Sequence, residues 1–321
     1  MVGNNWQPTT DNSLLQARAR LLQQIREFFY QRQVLEVDTP LLASAIGTAP
    51  ALDPVRALLK NDAGHEQEHF LQTSPEFPMK RLLAAGSGPI YQLGKAFRNG
   101  EAGRKHNPEF TMLEWYRPGF SMEQLISEVD ELFATTLDLP SAQRISYGEL
   151  FMTFLDIDPF TITLPALHEV AKLKLDVEIE TASIDLWLDL LFSHCIEPEL
   201  REPVCIYNYP ATQAALAALD QDEQGRTVAR RFEFVAGGLE LANGYYELTD
   251  SREQRRRFQA DQAERQQAGL PTYDVDEYLL AALDHGMPNC AGVAVGVDRL
   301  LMLQTGKNDI RDVISFPVDR V

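Results

Sequence analysis

The stretch that most constrains this chain is FRNGEAGRKHNPEFTMLEWY, residues 97–116. Its second half alternates, placing Phe110, Met112, Glu114 and Tyr116 on one face of a strand and Thr111, Leu113 and Trp115 on the other. A carboxylate among aromatic neighbours is costly unless paired, so Glu114 is expected to meet a cation. A plain structural ion pair is the alternative to a binding role. An extended segment at 89–98 precedes it, and the two would form a hairpin that sets Arg98 beside Phe110. Their connection gathers Arg98, Arg104, Lys105 and His106, although the chain carries a net charge of −18. Such a basic loop in an acidic chain implies a bound anion. Arginine suits bidentate phosphate contact, and the adjacent ring offers a stacking surface for a base.

Periodicity supplies the surroundings. Leu14, Leu21, Ile25 and Phe28 predict a helix over 13–32, capped by Asp11, Asn12 or Ser13. VLEVDTPLL (34–42) reads as a strand ending at Thr39-Pro40, and Ser74-Pro75-Glu76 opens a helix through 86. Residues 122–136 and 165–195 read mainly as helices, followed by strands at 231–236 and 239–248 and a helix at 251–267. Residues 291–305 pass from strand to helix and stop at Gly306. Arg252, Arg255, Arg256 and Arg257 read as a solvated helix face. No repeat or linker is visible, which predicts a polar tail over 1–11 and one α+β domain over 12–321 with largely antiparallel strands.

Several classes are disfavoured. No secretory signal is visible, and the best apolar run, DLWLDLLFSHCI, is short and carries Asp185 and Asp189. Three scattered cysteines without a CxxC suit buried thiols in a reducing cytoplasm. The acidic balance argues against a general nucleic-acid binder. His65-Glu66-Gln67-Glu68-His69 matches HExxH, but it follows Asn61-Asp62-Ala63-Gly64 and reads as a hairpin tip, where two histidines would not share a helix face.

Two further clusters could carry chemistry. Glu233, Glu240 and Glu247 recur every seven residues, and a turn at Gly237-Gly238 would bring Glu233 and Glu240 onto facing strands. Two such carboxylates suit Mg²⁺ bound to substrate phosphates. Strict alternation would send Glu247 to the opposite face from Glu240, unless Asn243-Gly244 bulges. In AGVAVGVDRLLML (291–303), Gly296 would admit a close ligand and the helix start, with Asp298 and Arg299, favours anions.

Taken in order, these features resemble the signature motifs of class II aminoacyl-tRNA synthetases. Thr39-Pro40 resembles motif 1, a dimer-contact element; Phe97-Arg98 through His106-Asn107-Pro108-Glu109-Phe110 resembles motif 2; Gly296-Val297-Asp298-Arg299 resembles motif 3. The segments SPEFPMKRL, HNPEFTMLEWY and ELANGYYEL are similar to the lysyl branch. The resemblance runs from about residue 12 to the end. It implies a class II catalytic domain with a mostly antiparallel sheet flanked by helices, ATP as substrate and Mg²⁺ as cofactor. Arg98 would hold the α-phosphate and the amino-acid carboxylate, Arg299 would act with it, and Phe110 and Arg299 would sandwich adenine. Asn99, Gly100, His106, Asn107, Glu240, Leu241 and Gly296 would complete the nucleotide site, with Glu233 and Glu240 on the metal. Ser74, Pro75, Glu76, Glu114, Tyr116, Asn243 and Glu247 would surround a diamino acid, whose two ammonium groups a tri-carboxylate pocket selects.

A lysyl-tRNA synthetase reads the anticodon with an N-terminal OB-fold, and about a dozen residues before the first helix cannot supply its five strands. The chain is therefore similar to the free-standing elongation factor P lysine ligases. That resemblance implies (R)-β-lysine (or lysine) as substrate, elongation factor P as partner, a cytoplasmic homodimer, and no tRNA or membrane. Ser74 and Ala294 stand where lysyl-tRNA synthetases carry Ala and Gly, which would favour a β-amino acid. A minimal tRNA ligase and an inactive regulatory relative are the alternatives; the second would be expected to lose Arg98, Arg299 or the Glu pair. Gly100 departs from the Arg-x-Glu pattern of motif 2. Either Glu101 reaches in after a backbone shift, or the adenine contact is weakened.

Overall fold

The structure is a computed structural model that describes residues 6–175 and 183–321. Among these the elements run α1 (Asn12–Gln31), β1 (Leu35–Glu36), β2 (Leu42–Ala43), β3 (Arg56–Lys60), β4 (Glu66–Leu71), α2 (Glu76–Ala84), β5 (Ile90–Phe97), β6 (Glu109–Pro118), α3 (Met122–Leu137), β7 (Gln143–Ser146), α4 (Tyr147–Leu155) and α5 (Leu164–Lys174). They continue with α6 (Ile184–Leu191), β8 (Val204–Pro210), β9 (Leu219–Gln221), β10 (Thr227–Ala236), β11 (Leu239–Tyr246), α7 (Ser251–Gln267), α8 (Glu277–Gly286), β12 (Cys290–Gly296) and α9 (Val297–Thr305).

A nine-stranded sheet is ordered β1-β5-β6-β12-β11-β10-β8-β7, with β9 paired to β10. Among the described strands only β1–β5 and β7–β8 run parallel in it, so the architecture is α+β with a mostly antiparallel sheet. The alternation on β6 divides the sheet's two faces. Leu113 and Trp115 enter the main core with Phe29 of α1, Leu125 of α3 and Leu300 of α9, while Phe110, Met112, Glu114 and Tyr116 line an open cleft. A second core packs α4, α5 and α6 on β8 and β10, and a third holds α2 against α8.

Local chemistry explains the boundaries. The Asp11 carboxylate accepts from the Leu14 amide at 2.9 Å and caps α1. Gly237 and Gly238 have φ of 62° and 72°, the left-handed pair that a two-residue hairpin requires. Gly306 ends α9 at φ 64°.

Four expectations need correction. The run 34–42 is not one strand: β1 joins the large sheet and β2 a separate three-stranded sheet, ordered β2-β4-β3. Thr39 sits between them, its amide donating to Gln92 Oε1 at 3.0 Å, which pulls the chain off the strand path. The segment 165–195 is two helices followed by a π-helical turn over Phe192–Ile196, and its residues 176–182 lie outside the described ones. The bulge falls at Leu241 rather than at Asn243-Gly244: Val235 pairs with Glu240 and Phe234 with Ala242. Arg257 is no solvated side chain, since its guanidinium donates to the carbonyls of Ala215 (2.9 Å) and Ala217 (2.7 Å). The HExxH run does lie on the β3–β4 hairpin, and no group of three or more His, Cys, Asp or Glu could hold a metal among the described residues.

One buried carboxylate ties three elements together. Asp298, in the first turn of α9, accepts from the Thr111 amide of β6 at 2.6 Å and pairs with Arg18 of α1. Arg18 also donates to the Val313 carbonyl at 2.9 Å. Removing one partner of a buried pair strands the other, so Asp298→Ala should lower unfolding free energy by about 3 kcal/mol. Urea denaturation against wild type checks it.

Candidate active site

The cleft has a volume of about 1710 Å³ and runs along the exposed face of β6, β12, β11 and β10. At one end three carboxylates converge, Glu76 from the start of α2, Glu114 from β6 and Glu247 just beyond β11. The bulge at Leu241 makes this possible, because it shifts the alternation so that Glu240, Asn243, Tyr245 and Glu247 all face the cleft. Gly292 of β12 opens the space: a Cβ there would lie 2.4 Å from the Tyr116 ring and 2.5 Å from Glu247 Oε1.

Glu114 was expected to meet a cation, and it does not. The Tyr116 hydroxyl donates to its Oε1, and Ser74 Oγ donates to its Oε2 at 2.8 Å. Ser74 in turn accepts from the Glu76 amide at 3.0 Å, so this hydroxyl fixes Glu114 and the start of α2 at once. The cation is Lys80, a buried residue of α2 whose Nζ lies 2.6 Å from Glu76 and 2.6 Å from Glu247. Burial, reinforced by the charge of Glu76, pushes the Glu114 carboxyl up to about 8. Burial also raises Glu247, to about 7, against the opposing charge of Lys80. For Lys80 the sense is reversed: burial would lower its ammonium, but Glu247 and Glu76 outweigh it and hold the group charged well above the usual lysine range.

The other end of the cleft is basic. The Arg98 guanidinium lies 5.2 Å from the Phe110 ring centre, as the hairpin register requires, and 3.9 Å from Glu101. Glu101 lines the cleft while Gly100, at φ 78°, makes the turn that carries it there. Arg299 donates to the Glu240 carbonyl (2.7 Å), to its Oε2 (3.3 Å) and to His106 Nε2 (2.8 Å). Burial and the nearby Arg299 charge lower His106 to about 4, so it is a neutral acceptor at pH 7. Lys105 donates to Glu197 (3.0 Å) and to the Gly238 carbonyl (2.8 Å), pinning the basic loop to the β10–β11 turn.

Between the two ends lie Glu233 and Glu240. Glu233 pairs across the hairpin with Asn243, whose amide donates to it at 3.3 Å, and Arg231 donates at 2.5 Å. Burial raises Glu233 to about 7 despite Arg231. Leu241, Gly296 and Ala294 line the same wall, and the nearest atoms to an added Gly296 Cβ are those of Arg299 at 3.5 Å or more. Asn107 lines the cleft but is also structural, donating to the Glu109 carbonyl at 2.6 Å and accepting from the Val318 amide at 3.1 Å. Pro75, Asn99 and Gly100 lie outside the lining; Asn99 instead donates to Asp53 at 2.7 Å. Lys80, Gly292 and Arg231 belong to the site without having been singled out in the sequence. The i, i+4 spacing of Glu76 and Lys80 on one helix is the sequence signal that could have pointed to Lys80.

A family model described as tRNA synthetases class II (D, K and N) matches residues 7–320. The chain is 47% identical over 319 residues to the elongation factor P--(R)-beta-lysine ligase of Haemophilus influenzae (strain PittGG), covering 98% of each. Proteins of the same name from Edwardsiella ictaluri (strain 93-146) and Proteus mirabilis (strain HI4320) are each 48% identical, over 322 and 321 residues, again covering 98% of both chains. This chain therefore belongs to the class II tRNA synthetases of the D, K and N group and, within them, to the elongation factor P--(R)-beta-lysine ligase family.

Proposed function

We propose that the chain is an ATP-dependent ligase that activates (R)-β-lysine and transfers it to a lysine side chain of elongation factor P. The observation that carries this reading is the shared cleft: a tri-carboxylate pocket at one end, with Glu114 and Glu247 buried, and Arg98, His106 and Arg299 at the other. Glu76, Glu114 and Glu247 would hold the two ammonium groups, and Arg98 with Asn243 the carboxylate. Phe110 and Arg299 would enclose adenine, with His106, Asn107 and the backbone of Glu240 and Leu241 beside it. One carboxylate oxygen then attacks the α-phosphorus as its bond to the bridging oxygen breaks, giving acyl-adenylate and pyrophosphate. A deprotonated lysine amine next attacks the acyl carbon, an amide forms, AMP departs with the bonding electrons, and the amine proton goes to solvent. The chain's contribution is positioning and charge neutralisation.

Glu233 and Glu240 fit Mg²⁺, which takes one or two protein carboxylates together with substrate phosphates. When bound, it would neutralise charge on the departing pyrophosphate. Arg299, now on Glu240, is placed to turn to the nucleotide. We further propose a homodimer through the segment around Thr39 and Pro40, supported by exposed Leu35 (58%), Leu41 (42%) and Leu42 (37%) beside it. A cytoplasmic location is in keeping with three free cysteines, two of them buried. No helix among the described residues is long and apolar enough to cross a membrane.

Incubation with ATP, labelled (R)-β-lysine and either elongation factor P or bulk tRNA tests the reading. Label should appear on elongation factor P; label on tRNA alone would overturn it. The pocket also sets a pH dependence. Ammonium groups need ionised carboxylates, and Glu247 and Glu114 lose their protons near 7 and 8. The KM for the diamino acid should therefore fall about tenfold from pH 6 to pH 8.5. Initial rates across that range check it.

A further inference from the structure

Lys80 has no place in the reaction just described, yet it is the most completely enclosed cation at the site. Its side chain is 2% exposed, and its Nζ bridges Glu76 Oε1 and Glu247 Oε2 at 2.6 Å each. The groups that act on its charge are Glu76 of its own helix and Glu247 at the end of β11, and its charge reaches Cys290 of β12. Those two carboxylates act in turn on Glu114 and Tyr116 of β6 and on Tyr245 of β11. Once all three carboxylates are ionised, which for Glu247 and Glu114 happens near pH 7 and 8, they and the one internal ammonium leave two net negative charges, the number that a diamino acid's two ammonium groups neutralise.

Resting on the reading above, we infer that Lys80 is a positioning residue that sets the charge count of the pocket to two and holds the Glu76 and Glu247 carboxylates at fixed places. Without it, a pocket of three buried carboxylates would take up a proton rather than a third cation, because an unpaired buried charge costs several kcal/mol. The charge of Lys80 already opposes the rise of Glu247 that burial imposes. A lysine is suited to the task, since its compact ammonium can serve two carboxylates while its stem is packed in the helix–sheet interface.

Pyrophosphate exchange with (R)-β-lysine from pH 6 to 9 tests this with the wild type, Lys80→Met, Lys80→Arg and the pair Lys80→Met/Glu247→Gln. Exchange by the wild type is the control for the function itself; its absence would overturn that reading, and the variants are then judged by calorimetric binding of (R)-β-lysine over the same pH range. Lys80→Met should raise the KM for the diamino acid at least tenfold, leave the KM for ATP unchanged, and move the pH at which KM levels off upward by about one unit. Lys80→Arg should keep the wild-type profile. The double variant restores the charge count, so its profile should return to the wild-type position even if its KM stays high. If Lys80→Met does not fold, the double variant and Lys80→Arg decide. An unmoved profile in Lys80→Met, or a displaced one in the double variant, would overturn the inference and leave Lys80 as packing only.

Discussion

The arrangement depends on gathering three carboxylates in one pocket, two of them paired with one buried ammonium. Ionised groups leave water only when paired and hydrogen-bonded, and the partners here come from several separate parts of the chain. Lys80 and Glu76 come from α2, Glu114 with its Tyr116 hydroxyl from β6, Ser74 from the loop before α2, and Glu247 from the end of β11. Gly292 is the condition for all of them to meet, because any side chain on β12 at that point would occupy the position of Glu247. The bulge at Leu241 is the second condition, since without it Glu247 would face the core.

Strand β6 couples this pocket to the basic end of the cleft. Phe110 and Glu114 are four residues apart on one face, so about 13 Å of strand separates a stacking surface from a carboxylate. That span is set by backbone geometry and cannot be altered by side-chain movement. Asp298 holds Arg299, the other half of the proposed nucleotide site, in register with it, since the carboxylate that accepts from Thr111 on β6 is adjacent in sequence to Arg299. The two ends of the cleft are therefore measured from one strand, which suits a reaction in which a carboxylate must meet an α-phosphorus in line.

Much of this was legible in the residues. Alternation alone assigned the cleft and core faces of β6, the Gly237-Gly238 pair marked the β10–β11 hairpin, and Gly306 marked the end of α9. What escaped has physical reasons. LELA carries no turn residue to announce a bulge, and the Asn-Gly pair that would is instead regular strand, where Gly244 leaves room for the Phe232 ring. Lys80 sits in an amphipathic helix, where a lysine is ordinarily solvated; only the three-dimensional convergence of Glu76 and Glu247 makes burial affordable. Gly292 reads as one more small residue in an apolar strand. The order of strands, and the splitting of 34–42 between two sheets, follow from long-range pairing that local pattern does not encode.

The central claim is that pocket charge, rather than pocket shape, selects the substrate. The direct measurement is kcat/KM for adenylation of (R)-β-lysine against (R)-3-aminoheptanoate, in which a methyl group replaces the terminal ammonium. A site that leaves a buried carboxylate unpaired should reject the analogue by about a thousandfold or more. A ratio within about tenfold would contradict the account and return specificity to shape.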